Sequence, residues 1–151
     1  MRRGGEPRAA KMKADMNTRA KSRLLLLEAE LERLVEFAVG EFAAERVILF
    51  GSMAGPRSEV GEWTDLDLVI VAETNLPFHR RAGEILRKAR PEVGADIFVY
   101  TPPEWGRMKS ESPFIKEDVL GKGKVVYERR WHGRVRECLC YDSRCAGIGF
   151  L

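Results

Sequence analysis

The stretch Asp65-Leu-Asp-Leu-Val-Ile-Val71 constrains the fold more than any other part of the chain. Its first positions alternate acid with leucine and the rest is apolar, the pattern of a β-strand. Three further short runs share that character. Arg46-Val-Ile-Leu-Phe50 is stopped by Gly51-Ser52, Ala95-Asp-Ile-Phe-Val-Tyr100 follows a Pro91/Gly94 break, and Lys124-Val-Val-Tyr-Glu128 follows Gly121.

Helical spacing fills the gaps between these runs. From Asn17 or Thr18, either a good N-cap, to about Ala44, leucines and small or aromatic residues recur every three or four positions, from Leu24 through Leu31 and Leu34 to Phe42. Phe78 to Arg90 repeats the pattern with Ile85, Leu86 and Ala89 facing inward. Pro102 and Pro103 suit the first turn of a short helix, and Phe114 to Leu120 reads as another, closed by Gly121 as a C′ residue. Residues 53–64 are rich in turn formers, with one helical turn at their start. Strands alternating with helices in this order predict an α/β fold, a small sheet flanked by helices. Because only a turn-rich loop joins the first two strands, the sheet is expected to be mixed rather than wholly parallel.

With 151 residues the chain has room for one domain. The expected boundaries are a basic disordered arm over 1–16, the domain over 17–129 and a weakly structured extension over 130–151. The net charge of +3 is unevenly spread: residues 1–23 hold eight basic side chains against Glu6 and Asp15, so the remainder is mildly acidic. That balance argues against a broad phosphate-tracking face, and nucleic acid is not an expected partner. No apolar run approaches the roughly 20 residues of a membrane span, nor the h-region of a secretory signal, so no membrane association and a cytoplasmic location are expected. Cys138, Cys140 and Cys145 fall near the C-terminus in an odd number and a C-x-C spacing. With His132 they make a poor zinc knuckle, and free thiols in a reducing compartment are the expectation.

The chemistry is concentrated in Gly51-Ser52, Asp65-Leu-Asp67 and Asp96. Alternation along a strand puts Asp65 and Asp67 on one face, roughly 6 to 7 Å apart. Two ionised carboxylates so placed repel unless a cation neutralises them, and Mg²⁺ takes one or two carboxylates while keeping waters and phosphate oxygens. If the third strand neighbours the second, Asp96 joins them, able to hold a second metal or to take a proton from an attacking hydroxyl. Gly51 lets the backbone approach a phosphate closely, and Ser52 adds a hydroxyl and an amide. Each feature alone is ordinary, since Gly-Ser is often only a turn and Asp is common at strand ends. Their order along the chain is far more specific.

Val47-Ile-Leu-Phe-Gly-Ser-Met-Ala-Gly, Thr64-Asp-Leu-Asp-Leu-Val-Ile-Val71 and Ala95-Asp-Ile-Phe-Val-Tyr100 together resemble the minimal nucleotidyltransferase (MNT) family of the DNA polymerase β superfamily. The ending Ile115 to Glu128 is similar too, so the likeness runs over about residues 24–129. The resemblance implies a polymerase β-like nucleotidyltransferase fold, Asp65, Asp67 and Asp96 as catalytic and Mg²⁺-binding residues, and Gly51 and Ser52 on the triphosphate of ATP. Where the family often carries a basic residue in an Ala-Arg-Gly setting this chain has Ala54-Gly-Pro-Arg57, and Arg57 is the expected substitute. The resemblance further implies a helical HEPN-type partner, with the chain as antitoxin transferring AMP to a tyrosine of the toxin. A non-catalytic subunit that neutralises such a partner by binding alone is the alternative, and self-association into a homodimer stays open.

Other families that use Asp-x-Asp, the haloacid-dehalogenase-like phosphatases and many glycosyltransferases, place it after an apolar strand, whereas here the apolar run follows. Gly121-Lys-Gly-Lys124 lacks the spacing of a phosphate-binding P-loop. His79, beside Arg80 and Arg81, reads as a surface residue. For Trp63 a packing role is the expectation and stacking on a nucleobase the alternative.

Overall fold

The computed structural model describes residues 8–129; the first seven residues of the expected arm and the extension from 130, with its cysteines and His132, lie outside them. In chain order the elements are α1 (Arg8–Phe42), β1 (Arg46–Phe50), 3₁₀ turns at Gly51–Ala54 and Arg57–Glu59, β2 (Leu66–Val71), α2 (Phe78–Ala89), β3 (Ala95–Tyr100), α3 (Pro102–Glu111), a π-helical turn (Ile115–Leu120) and β4 (Lys124–Glu128). The α/β class is as expected.

Helix α1 opens ten residues before Thr18, at Arg8, and runs for 35 residues. The apolar stripe fades before Leu24, but Ala, Lys, Arg and Met are all strong helix formers, and a helix already nucleated by packing downstream propagates through them. It ends where Ala43 takes a left-handed φ of 49°. Gly121, expected as a left-handed cap, instead has a right-handed φ of −75°. Its lack of a side chain serves close approach: a Cβ there would lie 2.5 Å from the Glu117 carbonyl oxygen.

The four strands lie in the order β3-β2-β1-β4. β1 is antiparallel to both β2 and β4, whereas β2 and β3 are parallel, joined by the α2 crossover. The sheet is therefore mixed. Side-chain alternation divides it into two buried faces. Leu49, Leu68, Ile70, Ile97 and Val99 point into a core closed by Leu27, Leu34 and Ala38 of α1 and Ile85 and Ala89 of α2. Ile48, Phe50, Val69, Val71 and Tyr100 point the other way, onto Trp105 of α3 and Ile115 and Val119 of the π-helical turn.

Two polar ties fix the helices to this sheet. The buried Glu30 carboxylate accepts the Glu92 N–H at 3.0 Å, while Arg33 donates to the Ala89 carbonyl at 2.7 Å, so α1 holds the loop that leads into β3. Arg81, 7% exposed, donates to the Leu76 and Val99 carbonyls at 2.8 and 3.1 Å and to both Glu104 oxygens. Glu104 also accepts the Thr101 N–H at 2.9 Å, closing a capping box at the start of α3. The Arg81 guanidinium and that N–H hold the Glu104 carboxyl at about 2, below the usual carboxylate range.

Candidate functional site

The carboxyl end of β1 and the amino ends of β2 and β3 meet at one edge of the sheet, since Phe50 pairs with Asp67 and Asp67 with Asp96. Asp67 and Asp96 thus occupy adjacent strands in register. By alternation they continue the row of Val69 and Phe98, on the sheet face that α3 covers farther along. The sequence puts Asp65 and Asp67 together at the start of one strand and Asp96 on another, and the parallel pairing of β2 with β3 brings Asp96 beside Asp67.

Asp67 is half-buried and Asp96 exposed. Burial first, then the negative charges of Asp96 and Asp65, push the Asp67 carboxyl above its ordinary value. Asp65 lies just before β2 and is 53% exposed; its Oδ1 is 3.5 Å from the Arg23 guanidinium of α1, which also donates to the Thr64 carbonyl at 3.2 and 2.9 Å. Among the described residues no three acidic, His or Cys side chains are gathered closely enough to cage an ion. Asp67 and Asp96 sit side by side on paired strands, and Asp65, whose charge also acts on Asp67, lies within 3.5 Å of a cation on α1.

Two glycines make the room for these carboxylates. Gly51 has φ +67°, which a residue with a side chain adopts at a cost, and a Cβ there would fall on the Asp67 carboxylate. Gly94 stands just before β3, and its Cβ would fall on the Asp65 carboxylate; its carbonyl accepts the Leu66 N–H at 2.9 Å. Gly51 stands out in the sequence, whereas Gly94 reads there only as a helix stop. The available signal was its position one residue before the strand that carries Asp96.

The carboxylates open into a cavity of about 430 Å³. Ser52 lines it, as do Glu59, Glu62, Trp63 and Thr64 together with the three aspartates. None of its described lining residues is Lys or Arg. Arg57 is not among them: its guanidinium lies 2.9 Å from the Glu28 carboxylate and ties the second 3₁₀ turn to α1, so the substitute expected at the triphosphate is directed elsewhere. No local pattern marked Glu28 as its partner, because the pairing spans two elements far apart in the chain. His79 is exposed, as expected of a surface residue. No described helix is long and apolar enough to cross a membrane.

No family model matches this chain, and no curated protein does. Among solved structures it is similar to a chain of the tri-AMPylated Shewanella oneidensis HEPN toxin in complex with MNT antitoxin. The identity is 16%, over 75% of this chain and 72% of that one, with a TM-score of 0.35.

Proposed function

We propose that this chain is a minimal nucleotidyltransferase that moves a nucleoside monophosphate, AMP from ATP, onto a hydroxyl of a protein partner. The observation that carries it is the in-register pair Asp67 and Asp96 beside Gly51, with Asp67 raised by burial and by two neighbouring carboxylates. A fold does not keep such repulsion at an open edge for stability, since replacing either acid would relieve it. The cluster is built to receive positive charge.

Hard oxygen donors fit Mg²⁺, and Asp67 and Asp96, with Asp65 once released from Arg23, would hold it. When bound, the ion neutralises the carboxylates and polarises the triphosphate oxygens. The chain's own groups do the rest. Gly51 lets the β1 end approach a phosphate without a side chain between, and the exposed Ser52 hydroxyl donates to its oxygens. Asp96, the most open of the strand-borne acids, accepts the proton of the attacking hydroxyl. The acceptor oxygen bonds to the α-phosphorus as the bond to pyrophosphate breaks, and pyrophosphate leaves. The acceptor is supplied by another molecule, and the resemblance to minimal nucleotidyltransferases points to a tyrosine of a HEPN-type toxin, which makes the chain an antitoxin.

One observation favours the non-catalytic alternative, a subunit that neutralises its partner by binding alone. The cavity has no basic residue among its described lining to meet a triphosphate, and Asp65 is engaged by Arg23. Incubation with Mg²⁺, α-labelled ATP and a co-purified helical partner separates the two. Label on the partner that disappears with Asp65→Ala/Asp67→Ala supports transfer. Tight partner binding by both proteins, with no label from any of the four nucleoside triphosphates, refutes it.

A further inference from the structure

Trp63 is 87% exposed, the opposite of the packing role that its size predicts. An indole left in water forfeits one of the largest apolar areas a side chain can bury. Its position is not that of a loose tip. The Thr64 Oγ1 accepts the Gly61 N–H at 2.9 Å, the Thr64 N–H returns to the Gly61 carbonyl at 3.4 Å, and Arg23 clasps the Thr64 carbonyl from α1. The turn is pinned on both sides of the tryptophan, which is thereby presented along the wall of the same cavity as Asp65, Asp67 and Asp96.

We infer that Trp63 is the platform on which the base of the nucleoside triphosphate stacks. Every other polar group of the cavity wall suits the metal-laden end of that substrate or repels an anion. The carboxylates Glu59 and Glu62 offer nothing attractive to phosphates, but a nucleobase is neutral and has two apolar faces. An indole carried on a pinned turn at the cavity wall, with the phosphates directed to Gly51 and Ser52, gives the site a separate hold on the other end of the molecule. Stacking reads the face of the base and not its hydrogen-bonding edge, so Trp63 favours the larger purines over pyrimidines and scarcely separates adenine from guanine.

This inference rests on the nucleotidyl-transfer function, and calorimetric titration tests the two apart. Wild type, Trp63→Ala and Trp63→Phe are titrated with MgATP and with magnesium tripolyphosphate, which carries the phosphates but no base. Wild type should bind MgATP the more tightly of the two. Trp63→Ala should weaken MgATP by about 5- to 150-fold, the range of a single base–aromatic stack, with tripolyphosphate unchanged and Trp63→Phe retaining most of the affinity. Equal MgATP binding by wild type and Trp63→Ala overturns the inference alone, leaving the indole for a macromolecular contact. Equal weakening of both ligands also overturns it, by making Trp63 a support of the loop. Failure of the wild type to bind either ligand overturns the nucleotidyl-transfer function itself.

Discussion

Replacing Gly51 by alanine tests the physical basis of the site most directly. Two costs arise. The left-handed φ of +67° is open to glycine, and holding an L-residue there costs about 1–2 kcal/mol. The new methyl also falls on the Asp67 carboxylate, and displacing that half-buried group adds about 1 kcal/mol. A total of about 2–3 kcal/mol lowers the melting temperature of a domain this size by about 6–10 °C. Gly83 of α2 is the internal control, with nothing within 4 Å of an added methyl and ordinary helical backbone. There alanine should raise stability by about 0.4–1 kcal/mol. Adding Asp67→Ala to Gly51→Ala removes the collision but not the backbone cost, so the double-mutant cycle should return a favourable coupling of about 0.5 kcal/mol or more. Differential scanning calorimetry of the four variants and wild type measures all of this. A Gly51→Ala protein that melts with wild type, or a coupling of zero, refutes the account of why glycine stands at the end of β1.

Gly94→Ala should behave differently, because the atoms nearest its methyl are the carboxyl end of the exposed Asp65 side chain. Its stability should change by less than about 0.5 kcal/mol, while Mg²⁺ affinity by calorimetry falls; an unchanged affinity would exclude Asp65 from the ion. Asp67, whose folded-state carboxyl is raised, costs stability as pH climbs from its ordinary value through the raised one. Asp67→Asn should therefore melt higher than wild type in EDTA at neutral pH, and Mg²⁺ should raise the melting temperature of wild type but not of Asp67→Asn. Glu104 runs the other way: with its carboxyl lowered from 4.5 to about 2, its contribution is full above pH 4.5 and lost as pH falls toward 2. Wild type should converge on Glu104→Gln in acid urea titrations, and a constant gap between them would contradict the role of Arg81. At pH 7 Arg81→Met should cost about 2–4 kcal/mol in urea unfolding, because it strands the Val99 and Leu76 carbonyls and the Glu104 carboxylate together.

Much of this protein follows from local pattern. The runs at 46–50 and 95–100 become strands with the expected ends, because short β-branched and aromatic runs beside Gly51 and the Pro91/Gly94 break admit little else. The mixed sheet is legible in the turn-rich link between β1 and β2, which offers no crossover helix to return the chain parallel. Features that depend on a distant partner were not legible. The helical extension to Arg8 follows from cooperativity with packing far downstream, the diversion of Arg57 from Glu28 on another element, and the exposure of Trp63 from a turn fastened by a guanidinium some forty residues away.

By itself the sequence determined the α/β class, the strand segments and the acids and glycine of the candidate site, because those are properties of residue type and spacing. Only the tertiary structure decided that β3 pairs in register with β2 and sets Asp96 beside Asp67, that Gly94 clears space for Asp65, and that Arg23 reaches Asp65 from α1. Register and cross-element contact are set by the packing of whole faces, and that information is spread over the core and not written at the residues it positions.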